Sequence, residues 1–340
     1  MKKSILAFAT AAVLAGAISN TATACSYFNF EATDGNQYIG RTNELPNQTD
    51  EHFVVVPRGF EMRDSTTTHG FVGIRHGDTE MISSGLNEHG VSIEALGYWA
   101  GEYADMPISE ADATSLSIVS TLLGQAKSTD EAVEIVENLV VAYEDMKQFN
   151  GVKVAFHYAI NDGKRAVVVE HEDGGKPMVY ENTIGVMTND PSFPQQIETA
   201  KQAIKLVNSR QDDDKAVFPG FDTESVGRLE RLAAQNASYN LASNMKANDA
   251  RDEGVNRAWS MVNNAEIVAG TMYWDFLAPE PQIIAYGNVV DIADKAYYFC
   301  TYDNPMIRKV DLDDINFATA SYSATAIYGT EPTFVEVLTH

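Results

Sequence analysis

The chain has 340 residues, and its 48 acidic residues against 24 lysines and arginines give a formal charge of −24. A field of that sign repels phosphate backbones, so we exclude nucleic acid as a partner. After residue 24 no apolar run is long enough to span a bilayer, which excludes a transmembrane protein and predicts a soluble chain with no membrane partner.

The first 24 residues have the pattern of a secretory signal peptide. Lys2 and Lys3 precede an apolar segment over residues 5–18, and Ala22 and Ala24 supply the small residues of a cleavage site. We therefore predict cleavage between Ala24 and Cys25, with export to the periplasm or secretion. Such a cut makes Cys25 the first residue of the mature protein.

An N-terminal cysteine carries a thiol and a free α-amine on one residue. The amine has an ordinary pKa of about 7.7–8.0, so much of it is a neutral base near neutral pH. A nucleophile with its own general base is the N-terminal-nucleophile arrangement. Two other interpretations stay open: a lipoprotein cysteine, although Ala22 stands where such sites usually have leucine, or a disulfide with Cys300, the second cysteine of the chain.

The first predicted strands hold Cys25 in place. Aromatic and polar residues alternate over residues 26–39, and Asp34-Gly35-Asn36 forms a turn, so we predict a hairpin with Cys25 at a strand end. Arg41 and Glu44 follow directly. We expect Arg41 to favour the thiolate and Glu44 to hold the α-amine. A surface ion pair between the two is the alternative.

A strand, a hairpin and two helices come next. Apolar residues 53–56 predict the strand. Residues 81–99 predict a hairpin that turns at Asn87-Glu88-His89-Gly90, and we expect this turn to be structural rather than catalytic. Helical spacing of apolar residues predicts a helix over residues 111–125. A capping box at residues 128–131 begins a second helix that runs to about Leu139. We expect this helix pair to pack on a sheet.

The second half of the chain also has predicted strands followed by predicted helices. Strands are predicted between residues 152 and 187, and Asn189 follows the last of them, where its amide can point into a site or form a turn. Helices are predicted over residues 194–209, 224–235 and 249–264, with Arg228 in the second. Strands at 271–274, 283–286, 295–302 and 334–338 complete the order. With no repeat or linker, this order predicts one layered α+β domain over residues 25–340.

Motifs for several other chemistries are absent from the sequence. No histidine pair has the H-E-x-x-H spacing of a zinc site, and there is no P-loop, no G-x-G-x-x-G and no G-x-S-x-G. The acidic run at residues 211–214 lacks the spacing of a calcium loop. We predict no cofactor and no metal.

Several short motifs follow one another between Cys25 and about Leu312, and their order is more specific than any one of them. They are Cys25 itself, Gly40-Arg41-Thr42-Asn43-Glu44, Asn87-Glu88-His89-Gly90, Thr188-Asn189-Asp190-Pro191, Pro219-Gly220 with Arg228-Leu229-Glu230-Arg231, and Tyr297-Tyr298-Phe299 with Thr301-Tyr302-Asp303-Asn304. In this order, behind a signal cut before a cysteine, the chain resembles the choloylglycine hydrolase family. That family includes bile salt hydrolases, penicillin V acylases and N-acyl-homoserine lactone acylases.

The resemblance implies a four-layer αββα N-terminal-nucleophile hydrolase sandwich, often a homotetramer. Such an enzyme cleaves the amide between an acyl group and an amine in a small molecule, without a cofactor. Position in the motifs implies that Cys25 is the nucleophile, Arg41 the arginine beside the thiol, Asn189 the carboxamide of the oxyanion hole and Arg228 the helical arginine near the nucleophile. Glu44 falls where many members have an aspartate that contacts the α-amine.

One stretch departs from the bile-salt enzymes. Gly97-Tyr98-Trp99 stands where those enzymes tend to have an Asn-Phe-Pro-like sequence. The resemblance implies that a backbone N–H in this region serves the oxyanion; Gly97 or Tyr98 could provide it, and we choose Gly97. We predict that Tyr98 and Trp99 bind an aromatic or aliphatic acyl group, and a core position for both is the alternative.

These observations predict an exported penicillin V acylase or N-acyl-homoserine lactone acylase. The export signal favours this choice, since many bile-salt enzymes are made without one. A conjugated bile salt hydrolase is the first alternative. The second is a non-catalytic periplasmic binding protein with a Cys25–Cys300 disulfide.

Overall fold

The computed structural model describes residues 25–32, 35–45, 49–146, 153–209, 222–239, 250–274 and 278–334. The predicted signal segment and the Pro219-Gly220 dipeptide lie outside these residues. The strands are β1 (Ser26–Glu31), β2 (Gln37–Leu45), β3 (Glu51–Val56), β4 (Phe71–His76), β5 (Ile82–Asn87), β6 (Ser92–Gly97), β7 (Ala113–Thr114), β8 (Val141–Ala142), β9 (Phe156–Asn161), β10 (Ala166–Glu172), β11 (Lys176–Glu181), β12 (Val186–Thr188), β13 (Tyr273–Trp274), β14 (Ala278–Pro281), β15 (Ile283–Asp291), β16 (Ala296–Thr301), β17 (Arg308–Asp311) and β18 (Ser323–Ala326). The helices are α1 (Ile118–Gln125), α2 (Thr129–Asn138), α3 (Phe193–Ser209), α4 (Ser225–Tyr239) and α5 (Ala250–Asn264).

Two antiparallel sheets form the centre of the protein. Sheet A has six strands in the order β12-β1-β2-β15-β16-β17, and sheet B has eight in the order β11-β10-β9-β6-β5-β4-β3-β18. Helices α1 and α2 lie against sheet B, while α4 and α5 lie against sheet A and α3 packs on α4. This is the predicted α+β sandwich with layers in the order αββα.

The layered arrangement explains why apolar and polar residues do not alternate regularly along the central strands. A sheet with one face against helices and the other against a second sheet buries both faces of its strands, so residues of either parity must be buried. All six residues of β5 and all six of β6 are buried. One apolar cluster fills the space around sheet A and includes Cys25, and a second lies between sheet B and helices α1 and α2.

The turn at residues 87–90 ties the β5–β6 hairpin to α1. The side-chain oxygen of Asn87 accepts from the backbone N–H groups of His89 and Val91, at 3.0 Å each. Its amide donates to the carbonyls of Leu123 and Ala126 at the end of the helix. The turn therefore has the structural role that the sequence predicts, since it both closes the hairpin and caps α1.

Several predicted elements differ from the observed ones. The strand predicted at 283–286 runs on to Asp291, and the one predicted at 271–274 covers only Tyr273–Trp274. The helix predicted over residues 111–125 begins only at Ile118, because the backbone N–H of Thr114 donates to the Ser117 hydroxyl and Ala113–Thr114 pairs with Val141–Ala142 instead. Serine and threonine compete in this way with helical hydrogen bonds. The last strand is Ser323–Ala326 at the edge of sheet B, whereas the predicted strand at 334–338 lies almost wholly outside the described residues.

None of the described helices is long and apolar enough to cross a membrane.

The register of β1 on β2 is fixed by a ring packed over a glycine. Phe28 pairs with Gly40 across the two strands. A Cβ at residue 40 would lie 2.1 Å from the Cζ of Phe28, so no other residue fits under this buried ring. Because a shift by one residue would turn the strand over, this contact also sets which side chains of β2 lie beside Cys25.

We predict that Gly40→Ala destabilises the protein by about 1–3 kcal/mol, because the added methyl overpacks the ring. Urea unfolding measures the cost. In a Phe28→Ala background, where the ring is absent, the same change should cost much less. Equal costs in the two backgrounds would contradict this account of the register.

Candidate active site

Cys25 lies directly before β1, and its side chain is 6% exposed. Strand β1 is held on both sides, by β2 and by β12, with Ser26 paired to Thr42 on one side and to Thr188 on the other. The backbone that carries the thiol is therefore fixed at the end of a central strand of sheet A. The predicted hairpin is confirmed as the element that positions this residue.

The alternation of side chains along β2 divides the predicted site between two faces of sheet A. Side chains two residues apart share a face, so Arg41 and Asn43 lie on one face while Glu44 lies on the other. The Sγ of Cys25 is 3.7 Å from Oδ1 of Asn43 and 4.0 Å from Nη2 of Arg41. The thiol therefore shares its face with Arg41 and Asn43, and Glu44 is turned away from them.

Arg41 is buried, and several oxygens surround its guanidinium. Its Nη2 donates to Oδ1 of Asn43 and to the carbonyl of Ala95, at 2.7 Å each, and its Nη1 donates to the hydroxyl of Tyr286. Asn43 and Tyr286 are partners that the sequence analysis did not identify. The signal for Asn43 was its two-residue spacing from Arg41 on a strand.

The thiol of Cys25 has opposing influences on its pKa. Burial raises the pKa, and the negative charge of Glu44 raises it further. Arg41, the backbone N–H of Glu44 and Arg228 all lower it. In the full chain the balance favours the neutral thiol, so activation requires a base beside the sulfur.

Glu44 lies fully buried at the far side of the same strand. Burial raises the pKa of Glu44 above its ordinary value, and the nearby charge of Arg228 opposes that rise most strongly. The backbone nitrogen of Cys25, which has one hydrogen while residue 24 is attached, donates to Asn189. A contact between the Glu44 carboxylate and a free α-amine stays a prediction.

Asn189 lies beyond β12 and connects the cysteine to sheet B. Its Oδ1 accepts from the nitrogen of Cys25 at 2.5 Å, and its Nδ2 donates to the carbonyl of Gly97 at 2.7 Å. The carboxamide therefore lies between the nitrogen of Cys25 and the carbonyl of Gly97.

The end of β6 presents its backbone to this site. The paired register of β5 and β6 ends at Ser84 and Glu94. Beyond that point the carbonyl of Ala95 accepts from Arg41 and that of Gly97 accepts from Asn189. In an extended strand the N–H and C=O of one residue point to the same edge, so the N–H of Gly97 also faces the site.

Arg228 projects from α4 and is completely buried. Its Nη2 lies 3.2 Å from the carbonyl of Cys25 and 3.2 Å from Oδ1 of Asn189, and its Nε donates to the hydroxyl of Ser26 at 2.9 Å. It therefore orients the carboxamide, because a cation beside Oδ1 keeps Nδ2 turned to the opposite side. The structure brings together Cys25, Arg41, Asn189 and Arg228, and the catalytic roles assigned to them stay predictions.

The two predicted substrate-binding residues, Tyr98 and Trp99, pack in different surroundings. The ring of Tyr98 is 1% exposed and stacks on His157 with centroids 5.0 Å apart. Its hydroxyl lies 3.4 Å from Oε1 of Glu172 at an open cavity of about 410 Å³. Trp99 packs against the apolar cluster between sheet B and its helices, whereas Cys25 belongs to the other cluster. A substrate-binding role for the pair stays a prediction, and their packing favours the core alternative.

Asp190 is a further residue of the site that sequence reasoning missed. Its carboxylate accepts from the backbone N–H of Trp99 at 3.1 Å and of Ala100 at 3.3 Å. Together with the bond from Asn189 to Gly97, these contacts fasten the end of β6 to residues 189 and 190. The sequence offered one signal, the Asn-Asp pair directly after a buried strand.

The two cysteines do not pair. Cys25 and Cys300 are both free thiols in the structure, so the disulfide alternative is not formed here. The thiol of Cys300 has its pKa raised to about 11, mainly by burial. It offers little thiolate near neutral pH.

One group of potential metal ligands exists among the described residues, at the far end of the β5–β6 hairpin. Ligand atoms of His69, Glu88 and His89 lie within 4.8 Å of one another. Nε2 of His89 is 3.1 Å from Nδ1 of His69, and Oε1 of Glu88 accepts from Nε of Arg58 and from the backbone N–H of Gly70. The two imidazoles therefore bind each other, and the carboxylate of Glu88 binds Arg58 and Gly70. The absence of a metal stays our prediction.

Glu44 makes a testable contribution to stability. Its pKa is higher in the folded than in the unfolded chain, so it destabilises the fold once the pH rises above its ordinary pKa of about 4.3, by about 1.4 kcal/mol for each unit of the shift. We predict that Glu44→Gln is more stable than the wild type at pH 8 and that the difference disappears at pH 4. Urea unfolding at both pH values measures it.

The exposed acid Glu137 on α2 supplies the control, since Glu137→Gln should leave the stability nearly unchanged at both pH values. A Glu44→Gln variant that is less stable than the wild type at pH 8 would show that the carboxylate is fully compensated where it lies.

Solved structures of other proteins have the same fold. The structure is similar to that of a mutant of conjugated bile acid hydrolase from Clostridium perfringens, with a TM-score of 0.76 and 19% identity over 92% of this chain and 100% of that chain. It is also similar to penicillin V acylase from Agrobacterium tumefaciens, with a TM-score of 0.73 and 18% identity over 91% and 95% of the two chains. The predicted sandwich is thus confirmed.

Sequence comparison reaches the same family. The bile salt hydrolase/transferase of Bifidobacterium longum is 25% identical over 327 residues, which cover 89% of this chain and 99% of that protein. The penicillin V acylase of Pectobacterium atrosepticum is 25% identical over 258 residues, or 72% of this chain and 65% of that protein. The family model for linear amide C–N hydrolases of the choloylglycine hydrolase family matches residues 25–325. The predicted hydrolase class is confirmed, and the chain belongs to the choloylglycine hydrolase family of linear amide C–N hydrolases.

Proposed function

We propose that this protein is an exported cysteine amidase that cleaves small N-acyl amides through an acyl-thioester on Cys25. One observation carries the proposal: the thiol of Cys25 lies 4.0 Å from the Arg41 guanidinium, while the nitrogen of the same residue lies 2.5 Å from the Asn189 carboxamide. A nucleophile, its adjacent nitrogen, a cation and a side-chain carboxamide therefore meet at one residue.

Removal of residues 1–24 is the step that supplies the base. While residue 24 is attached, the nitrogen of Cys25 is a peptide nitrogen and cannot accept a proton. After cleavage it becomes an amine whose lone pair takes the thiol proton, directly or through a water. Arg41 and the backbone N–H of Glu44 then favour the thiolate that forms.

The thiolate attacks the amide carbonyl, and the negative charge moves to the carbonyl oxygen. Nδ2 of Asn189 and the N–H of Gly97 are the donors aimed at that oxygen in our proposal, and losing one such donor typically costs about 10²–10³ in rate. The protonated α-amine gives its proton to the leaving amine. Water then attacks the thioester, releases the acid and restores the thiol.

The acyl group is the finer part of the proposal. We propose a penicillin V or N-acyl-homoserine lactone acylase, and the predicted export signal supports it. A conjugated bile salt hydrolase is the second candidate, favoured by the bile salt hydrolase relative that is matched over 99% of its length. Tyr98 is buried and Trp99 is partly buried against the apolar cluster of sheet B and its helices, so we give their aromatic character no weight in this choice.

Location and assembly belong to the same proposal. We propose a periplasmic or secreted protein that starts at Cys25 and assembles as a homotetramer. Intact mass of the exported protein tests the first point, and light scattering tests the second.

We predict that Cys25→Ala abolishes turnover of every substrate while leaving the unfolding midpoint close to that of the wild type. A panel of penicillin V, long-chain homoserine lactones and glycocholate, followed by release of the free amine, measures activity and ranks the candidates. Cys300→Ala is the matched control, because it removes the other thiol and should retain activity. Turnover by Cys25→Ala would contradict the proposal.

We predict that Asp190→Ala lowers kcat by about tenfold to a hundredfold with little change in KM, because the freed end of β6 lets the Gly97 donor move out of line. Alkylation of Cys25 should keep its rate, since that reaction needs no oxyanion donor. Hydrogen exchange of the Trp99 amide should speed up in the same variant.

Asp173→Asn, a change at an exposed acid in the turn between β10 and β11, controls for the loss of a charge. A fall in the alkylation rate equal to the fall in kcat would show that Asp190 supports the nucleophile rather than the oxyanion donors.

A further inference from the structure

A second buried acid, Glu94, lies beside Arg41 and belongs to sheet B. Glu94 of β6 is completely buried. Its Oε1 accepts from the hydroxyl of Ser84 at 2.9 Å, from that of Ser92 at 3.4 Å and from Nδ2 of Asn288 at 3.3 Å. Three side-chain donors from both sheets therefore hold one carboxylate oxygen in place. Burying a carboxyl group costs folding free energy, so we expect this one to have a function.

The other carboxylate oxygen faces Arg41. Oε2 of Glu94 lies 3.8 Å from Nε of Arg41, while Nη2 of the same guanidinium lies 4.0 Å from the Sγ of Cys25. The guanidinium thus lies between the carboxyl group and the sulfur. Any negative charge on Glu94 competes with the thiolate for the same cation.

We propose that Glu94 is a positioning residue that aligns the Arg41 guanidinium beside Cys25 and sets how much of its positive charge is available to the sulfur. This inference rests on the proposed role of Cys25 as the nucleophile. It assigns to Glu94 an influence on the reaction that is exerted entirely through Arg41.

The charges around Glu94 are suited to that role. The titratable groups that face it are Arg41 of β2, Tyr27 of β1, Tyr286 of β15 and Tyr297 of β16. Burial raises the pKa of all three tyrosines, so they are neutral at physiological pH. Arg41 is then the one permanent charge among these four groups.

The ionisation of Glu94 gives this influence a pH window. Burial raises the pKa of Glu94 to about 7, against the opposing effects of Arg41 and of Ser84. Above that pH the carboxylate neutralises part of the Arg41 charge, and the thiolate is less favoured. Below it Glu94 is neutral and the whole charge of Arg41 acts on the sulfur.

The test is the pH dependence of Cys25 alkylation by iodoacetamide, which needs no substrate turnover. Protein carrying Cys300→Ala is used so that one thiol reacts, and its N-terminus is verified by intact mass. We expect Glu94→Gln to lower the pKa of the Cys25 thiol by about one unit. The gain in thiolate, less the loss of intrinsic nucleophilicity, makes alkylation about threefold faster at pH 8.

Two features separate this effect from a structural one. At pH 6, where Glu94 is neutral in the wild type, the alkylation rates of the wild type and Glu94→Gln should converge. In an Arg41→Gln background Glu94→Gln should have no effect on the thiol. Glu51→Gln is the matched control, since Glu51 is a buried acid paired with His76 in sheet B and should leave the thiol unchanged.

An unchanged thiol pKa in Glu94→Gln would overturn the proposal, as would an equal shift in the Arg41→Gln background or in Glu51→Gln. If Glu94→Gln does not fold, Ser84→Ala tests the same point by removing the shortest hydrogen bond to the carboxylate. It should raise the pKa of Glu94 and shift the alkylation profile in the same direction by a smaller amount, and no shift would count against the proposal. Failure of the amidase proposal would appear separately, as a wild type that alkylates at Cys25 and cleaves no substrate.

Discussion

A buried guanidinium joins the two sheets at the end where the cysteine lies. Arg41 belongs to sheet A, yet it donates to the carbonyl of Ala95 in sheet B. Burying a charge is costly unless hydrogen bonds and an opposite charge compensate it. The oxygens of Asn43, Ala95 and Tyr286 and the carboxyl group of Glu94 supply that compensation, so the sheets cannot move apart here without exposing or stranding the charge.

The alternation of side chains on β2 separates two tasks. On the face between the sheets, Arg41 and Asn43 lie beside the sulfur. On the face toward α4, Arg228 binds the carbonyl of Cys25 and the carboxamide of Asn189, near the carboxylate of Glu44. The thiol and the backbone of one residue are thus controlled from opposite sides of the sheet. This arrangement buries two acids, Glu44 and Glu94, whose pKa values are raised by burial. Perturbed pKa values of this kind are common at functional sites, where they reduce stability.

Much of the fold and part of the site were predictable from the sequence. Hairpin turns, capping boxes and the order of strands and helices are local signals, and they gave the layered α+β arrangement and the position of Cys25 at a strand end. Cys25, Arg41, Asn189 and Arg228 were predictable because short motifs carry them. The helix start at Ile118 was missed because hydrogen bonds among Thr114 and Ser117 override the helical pattern.

The unpredicted part of the site depends on contacts between distant segments. Glu94 looks like an ordinary strand residue until Asn288 and Arg41 are placed against it, nearly 200 residues and about 50 residues away in sequence. Asp190 acquires its role only when the end of β6 reaches it. Tyr98 and Trp99 are adjacent in sequence, yet Tyr98 stacks on His157 while Trp99 lies in the turn beyond β6, where the backbone no longer follows the strand.

The central claim is that Cys25, freed at its amine, forms the covalent intermediate. The most direct measurement is peptide mass mapping of the exported protein. The protein reacts briefly with a substrate that it is known to cleave, and acid then stops the reaction. The account predicts an N-terminal peptide that begins at Cys25 and carries the acyl group on sulfur. Steady turnover with an unmodified Cys25, or by a chain that begins at another residue, would contradict it.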